Sequence, residues 1–524
     1  MDRQDGTAKP GRKDAESARS GSSLTSTAPV RSLAARTLQG AGWLMVWRFA
    51  SRGLGIVNTV VLVRLLTPGD FGLVALGMSF ALSIDSLSYL GVQEALVREH
   101  APGRVLYDTA FTINGLRGLI TGLIIAACAH PAARLFGDVR LVPIFWVLAV
   151  TLFMSCLENI GTVDFQRDVT FGKQLPIVLG PRIAGIVASI AVAVIWRSYW
   201  ALVAGILVSR GARLIATYIV HPYRPRVTLR AWEGLIGFSF WSWALSMTAL
   251  VQSRAGTFII GAYLNPIAVG IYTIGGEIGG LASSELLDPI SQALFAGFSS
   301  ARRSGDSVAS AYLRSISVVA LVTLPANAGI ALVAAPMMHL AFGPRWDAAV
   351  PLVQLFACVG VCRVAGSISS SLLMAEGLPR VGFWIELTMT ALRVSCLLAL
   401  APWLGLIGVA AGMAATGVIE EAIYLLVTFR LMRLRGLDLL RNVWRPTLAA
   451  AVMAVVLQYG GLTRIRPDQG MWDQAAALAI AVTVGASTFM AMLGAAWWTS
   501  GRPQGAETYL LATINNAARR RATT

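Results

Sequence analysis

Apolar residues fall in long unbroken runs along this chain, without the one-sided helical stripe or strict alternation of a soluble fold. The runs approach twenty residues, the length that carries a helix across a bilayer. This pattern predicts fourteen spans: 41–63, 72–95, 108–129, 141–162, 175–196, 199–220, 235–260, 268–291, 313–335, 349–374, 381–401, 405–428, 447–463 and 474–498. The eighth is interrupted by Glu277, Glu285 and Asp288, and the thirteenth is short. The connections are short polar turns, so no soluble domain is inserted. Residues 1–39, rich in Ser, Thr, Gly, Lys and Arg, are expected to be disordered. The first apolar run begins near Gly40, too late and too long for a cleavable signal peptide.

One turn occurs twice. Arg64-Leu65-Leu66-Thr67-Pro68-Gly69-Asp70-Phe71-Gly72-Leu73-Val74 joins spans 1 and 2, and Leu264-Asn265-Pro266-Ile267-Ala268-Val269-Gly270-Ile271-Tyr272 joins spans 7 and 8. Each has a helix-breaking and helix-starting Pro, then Gly four residues later, then an aliphatic residue. The second match is Tyr199–Gly205 in span 6 against Leu406–Gly412 in span 12. Six spans separate the copies, an even number, so both halves enter the membrane from the same side. The halves are then related by an axis along the membrane normal. The expected fold is an all-α polytopic membrane protein of about 14 transmembrane helices, with two six-helix lobes and two C-terminal helices. The domains are a disordered basic tail (1–39), an N-lobe (40–230), a C-lobe (231–435), spans 13–14 (436–500) and a cytoplasmic tail (501–524).

Composition agrees. Only 13% of residues are charged, where a soluble protein carries about 25%. The net charge of +16 raises the question of nucleic acid, and its placement answers it. With the N-terminus in the cytoplasm, the inner tails and loops hold 29 Lys and Arg and the outer loops 7. That asymmetry is the positive-inside rule. It puts both termini in the cytoplasm and attracts anionic lipid, with no nucleic-acid partner. Four scattered His offer no metal site, and the five Cys, all in apolar runs, read as buried structural thiols.

The remaining basic residues lie inside spans: Arg48, Arg52, Arg117, Arg182, Arg254, Arg363 and Arg393. A charge at the bilayer centre costs at least about 2.5–3.5 kcal/mol, so each needs a partner or a water-filled cavity. The mid-depth acids are Asp85 and Glu277. Glu94, Glu158, Glu285, Asp288, Glu386, Glu420 and Glu421 lie nearer the cytoplasmic ends. Residues on antiparallel helices share a depth when they are equidistant from the turn. Arg52 and Asp85 are equidistant from Pro68, and Arg254 and Glu277 from Pro266. The spacing therefore predicts one pair in each lobe, either a structural bridge or part of the transport site. Arg48 and Arg52, four apart, share one helix face. The other arginines outnumber the mid-depth acids, and several are expected to line a cationic cavity. The candidate substrate-binding set is Arg48, Arg52, Asp85, Arg117, Arg182, Arg254, Glu277, Arg363 and Arg393.

The duplicated hairpin and the six-plus-six-plus-two layout resemble the polysaccharide-transport branch of the multidrug/oligosaccharidyl-lipid/polysaccharide exporter superfamily. The resemblance covers residues 40–500. It implies a V-shaped cavity lined by spans 1, 2, 7 and 8, alternating access, and location in the bacterial inner membrane. It implies as substrate an undecaprenyl-pyrophosphate-linked glycan, met by Arg48, Arg52 and Arg254. Polysaccharide polymerase and glycosyltransferases are the implied partners of a monomeric, non-enzymatic flippase without cofactor. The coupling ion, Na⁺ or H⁺, stays open. A drug/cation antiporter of the same superfamily would need buried carboxylates where span 1 has Arg48 and Arg52. A peptidoglycan-precursor flippase shares the headgroup and differs only in the hairpin motif. An integral-membrane glycosyltransferase or polymerase would need a substantial extramembrane loop with catalytic carboxylates, and the chain has none. Reporter fusions after Arg230 and Arg435 are expected to read cytoplasmic and one at Asn265 periplasmic; a periplasmic signal at Arg230 would overturn the topology.

Overall fold

The computed structural model describes residues 50–232, 240–463 and 470–501, less residues within 90–102, 168–170 and 288–306. The expected tail 1–39, Arg48 and nearly all of 501–524 lie outside the described residues. Within them the chain is helical. The helices are α1 (50–65), α2 (Pro68–Leu87), α3 (Arg104–Leu135), α4 (Leu141–Cys156), α5 (Leu175–Trp196), α6 (Trp200–Val220), α7 (Phe240–Tyr263), α8 (Pro266–Gly279), α9 (Val308–Phe342), α10 (Val350–Ala375), α11 (Pro379–Met432), α12 (Gly436–Tyr459) and α13 (Met471–Thr499). Gly405, at φ 57° and ψ −141°, breaks α11 into two rods three residues after Pro402. That makes the fourteen segments that the apolar runs predict. The interrupted eighth span is α8 followed by a separate π-helical segment, Ser283–Leu287.

Nine of these helices are long and apolar enough to cross a membrane on their own. Of the rest, α4 and α8 are short, and α7 is more polar. Their outward faces carry Val187, Ile219, Val455 and Met490, which suit lipid rather than water. Trp196, Trp403, Tyr459 and Trp472 are exposed aromatics at the helix ends on the Pro68 side, and Trp498 is one at the other end of α13. They form the interfacial belt expected where rings with one polar edge meet headgroups. Cys358 and Cys362 are exposed on α10. The expectation of buried thiols fails there, because an apolar run does not tell exposed from core-facing positions; only Cys156 is fully buried.

The first lobe is α1–α6, with α3 against α4 and α5 against α6; the second is α7–α11, with α9 and α11 flanking α10. Helices α12 and α13 pack on each other and on α9. The lobes meet where the two copies of the turn meet. Thr67 caps α2 by a capping box, its Oγ1 donating to Asp70 Oδ2 at 2.6 Å and accepting from Asp70 N at 3.3 Å. Asn265 caps α8 by accepting from Ala268 N at 2.8 Å. The first turns of α2 and α8 then lie against each other. A Cβ on Gly72 would fall 1.6 Å from the Pro266 carbonyl oxygen, and one on Gly270 would fall 1.9 Å from that of Pro68. The conserved spacing of Pro and Gly within the repeat is thus the spacing of one backbone crossing, used reciprocally. Around it a single core runs from Leu73 and Leu76 of α2 to Ile259 and Ile260 of α7 and Val269 of α8.

At the opposite end the lobe-joining segment 221–230 is fastened to the first lobe. Asp108, almost fully buried, accepts from Arg226 N at 2.8 Å and from the Tyr223 hydroxyl. Burial and that carboxylate push the Tyr223 hydroxyl well above its ordinary range. Asn159 Nδ2 donates to the carbonyls of Tyr223 and His221, and Thr112 accepts from Thr228 N. Gly72→Ala and Gly270→Ala are each expected to lower stability by about 1–3 kcal/mol through overpacking. Gly53→Ala, which meets nothing within 4 Å, should be neutral or slightly stabilising. Thermal melts of the purified variants check this.

Candidate functional site

Arg52 of α1 reaches out of its own lobe. Its Nε lies 3.1 Å from Glu285 Oε1 and its Nη1 3.9 Å from Glu277 Oε1. Glu277 lies on α8 and Glu285 on the π-helical segment after it, so the ion pair bridges the lobes. The Nε hydrogen is buried but has no aligned acceptor; the contact to Glu285 is electrostatic and not a formed hydrogen bond. All three side chains keep partial access to solvent, at 28–44%.

The pairs expected from the turn prolines are not the pairs that form. Asp85 bonds Arg117, Oδ1 to Nη1 at 2.9 Å, and Glu277 takes Arg52. Equal distance from a turn fixes depth but not the direction a side chain takes around its helix. Helix α2 turns Asp85 towards α3. There the same rule holds about the other turn, since Asp85 and Arg117 are equidistant from residue 101. Arg117 also meets Ser88 Oγ at 3.4 Å and Cys156 Sγ at 3.3 Å and lies over the Tyr89 ring at 5.7 Å, while its buried Nε has no acceptor. It is a bridge within the first lobe.

Arg182 lies across α1, its guanidinium so close over Gly55 that a Cβ there would come within 2.5 Å of Nη2. Arg254, half-buried on α7, has no ion-pair partner among the described residues, and its buried Nε has no hydrogen-bond acceptor. Arg52 and Arg254 therefore occupy the first helix of each lobe, each with an inward N–H lacking an aligned acceptor.

Arg363 and Arg393 are elsewhere. They line a cavity of about 710 Å³ inside the second lobe, among α7, α8, α10 and α11, together with Glu386, Glu420, Glu421 and a set of serines. Arg393, 7% exposed, pairs with Glu420 at 2.5 Å and donates to Thr416 Oγ1 at 3.2 Å. Glu420 also accepts from Gln252 Nε2 at 2.8 Å, and Glu386 from the Tyr424 hydroxyl at 3.1 Å. Arg363 stands 4.0 Å from Glu421. The expectation that Arg117, Arg363 and Arg393 lack acids to pair with is thus corrected. The mid-depth Asp85 takes Arg117, and Glu421 and Glu420, assigned to the cytoplasmic ends, reach Arg363 and Arg393. Glu420 was legible only loosely: Arg393 lies 12 residues before the Gly405 break and Glu420 15 after it, within one helical turn of equal depth. Glu285 had no comparable signal, because it depends on the π turn. Eight of the nine candidates, all but Arg48, lie among the described residues, and they divide. Arg52 and Glu277 come together between the lobes, Asp85 and Arg117 inside the first, and Arg363 and Arg393 inside the second. Arg182 and Arg254 join none of these pairs.

Residues 61–351 match the family described as "Polysaccharide biosynthesis protein". The chain belongs to this family. Its relatives extend over most of its length. The lipopolysaccharide biosynthesis protein WzxC of Escherichia coli (strain K12) is 24% identical over 398 residues, 74% of this chain and 80% of that protein. The succinoglycan biosynthesis transport protein ExoT of Rhizobium meliloti (strain 1021) is 22% identical over 435 residues, 80% of this chain and 86% of that protein. Among solved structures, the inward closed conformation of the lipid II flippase MurJ superposes with a TM-score of 0.70. It covers 87% of this chain and 99% of its own at 12% identity, a likeness of fold. The family member described here is a multi-pass membrane transporter fold with its charges sorted between an inter-lobe contact and two intra-lobe bridges.

The buried Arg393–Glu420 pair makes a direct stability prediction. Glu420→Gln strands the guanidinium and should cost about 3–5 kcal/mol, whereas Arg393→Leu/Glu420→Leu together should recover most of it. Denaturation midpoints of the two variants give the comparison.

Proposed function

We propose that the protein is a flippase that moves a polyprenyl-pyrophosphate-linked oligosaccharide from the cytoplasmic to the periplasmic leaflet of the inner membrane. One observation carries the proposal. The first helix of each lobe holds an arginine, Arg52 and Arg254, whose buried Nε has no aligned acceptor and which, unlike Arg117, has no hydrogen-bonded carboxylate among the described residues. A pyrophosphate supplies two negative charges and several acceptor oxygens, and arginine binds it with forked, charge-assisted hydrogen bonds. The family membership and the transport roles named for ExoT and MurJ support the same class. The lobes 40–230 and 231–435 would rock against each other about the Gly72–Gly270 contact. The headgroup would travel between them with its polyprenyl tail left in lipid. Both termini would be cytoplasmic, and Arg48 would join Arg52 on the same helix face. The Asp85–Arg117 and Arg393–Glu420 bridges would hold the lobes rigid and would not meet the headgroup.

A cation antiporter has one observation in its favour, the three carboxylates of the second-lobe cavity. Arg363 and Arg393 stand in the same cavity and neutralise two of them, so it offers a cation little net charge.

Losing a hydrogen-bonded charge contact is worth about 1.5–3 kcal/mol. Arg52→Ala and Arg254→Ala should therefore lower surface-polysaccharide export by at least about tenfold with normal amounts of protein in the membrane. The Lys versions should keep part of it. Arg117→Ala should lower abundance itself. Normal export in both Arg52→Ala and Arg254→Ala would reject the assignment of the headgroup to these side chains.

A further inference from the structure

We propose that Glu285 and Glu277 are a built-in stand-in for the anionic headgroup: they hold Arg52 in the empty protein and are displaced from it when a pyrophosphate binds. The inference rests on the flippase reading and adds to it how the site is kept closed and how loading releases it.

Three features of the contact carry the argument. First, it crosses from lobe to lobe: Arg52 is on α1, and both carboxylates follow the α8 turn. Among the described residues, the other arginines of the candidate set that have an ion-pair partner, Arg117, Arg363 and Arg393, pair within their own lobes. Second, the contact is poorly formed. Glu285 is 3.1 Å from Arg52 Nε, yet that N–H is buried with no aligned acceptor, and Glu277 is 3.9 Å from Nη1. Two carboxylates neutralise the guanidinium without satisfying its hydrogen bonds. A pyrophosphate brings the same charge and more oxygens, free to align with the fork. Third, Glu285 is presented by a π-helical turn, Ser283–Leu287, which follows the α8 end at Gly279. Such turns are uncommon and are kept mainly where a side chain must be re-aimed. Here the re-aimed side chain is the one nearest Arg52.

The exchange is an ion swap with no covalent step. Arg52 passes from the carboxylates of the second lobe to the phosphate oxygens, and the carboxylates are released to water. The charge tie between α1 and the second lobe is lost in the same event. The Gly72–Gly270 crossing, which is a backbone contact without charge, stays and serves as the pivot. An empty protein is thus held by Arg52, and a loaded one is not. Mutual exclusion of this kind also weakens binding, since the headgroup competes with acids already in place, and a weaker grip favours release after the lobes move.

A double-mutant cycle tests this with the full-length protein in nanodiscs and undecaprenyl pyrophosphate as the probe. Glu277→Gln/Glu285→Gln keeps the shape of both side chains and removes the competing charge. Its affinity should rise roughly two- to fivefold over the wild type, the size of one solvent-accessible ion pair. The gain should vanish when Arg52→Ala is added. Equal or weaker binding by the double Gln variant, with the wild type binding normally, overturns the stand-in. A gain that persists without Arg52 also overturns it, because it is then a general effect of charge. No binding by the wild type overturns the flippase reading beneath it. Undecaprenol without phosphate, tested alongside, should bind all variants alike.

Discussion

The backbone crossing of Gly72 and Gly270 is the constraint on which the arrangement depends. Each glycine sits against the carbonyl of the proline that opens the other copy of the turn, closer than any side chain allows. The crossing brings the first turns of α2 and α8 together, and with them α1 and α7, the helices that carry Arg52 and Arg254. A tight contact without charge at one end leaves charges free to act elsewhere between the lobes. It also explains why the inter-lobe ion pair joins Arg52 to Glu277 on α8 and Glu285 just after it: α8 is the helix the crossing fixes in place.

Charge then sorts by solvation. A guanidinium buried within a lobe must be paired, and Arg117 and Arg393 are, to Asp85 and Glu420 at hydrogen-bonding distance. A guanidinium facing the space between lobes can keep a looser partner, because water and a passing anion share the cost. Arg52 and Arg254 have the looser environments. A buried Nε without an acceptor is common to Arg52, Arg117 and Arg254, so the distinction between structural and functional arginines is whether a hydrogen-bonded carboxylate holds the guanidinium, and membrane depth does not separate them.

Much of this was legible in the chain. The Pro-to-Gly spacing in Thr67–Gly72 and Asn265–Gly270 marked the two helix starts, and the capping side chains are the ones the turn chemistry calls for. The apolar runs gave fourteen spans, including the division of α11 at Gly405. The ion pairs were legible in depth only. Equidistance about residue 101 finds Asp85–Arg117 and about Gly405 comes within one helical turn of Arg393–Glu420, but the same rule about Pro68 and Pro266 gives partners that point elsewhere. Rotation about a helix axis depends on packing, and a uniformly apolar membrane helix leaves little periodicity from which to read it. Glu285 was beyond reach for a further reason, since a π turn shifts the register after it and nothing in Ser283–Leu287 announces one. Cys358 and Cys362 show the same limit, an apolar run holding exposed and core positions alike.

The central claim is that this protein carries an anionic lipid headgroup across the membrane between two arginine-bearing lobes. Its most direct test is transbilayer movement of a fluorescent polyprenyl-pyrophosphate oligosaccharide in liposomes containing the purified protein, read by the fraction open to a membrane-impermeant quencher. The account predicts fast equilibration between leaflets, lost in Arg52→Ala/Arg254→Ala and absent for an uncharged polyprenol glycoside. Leaflet exchange no faster than in protein-free liposomes, or equally fast for the uncharged lipid, would contradict it.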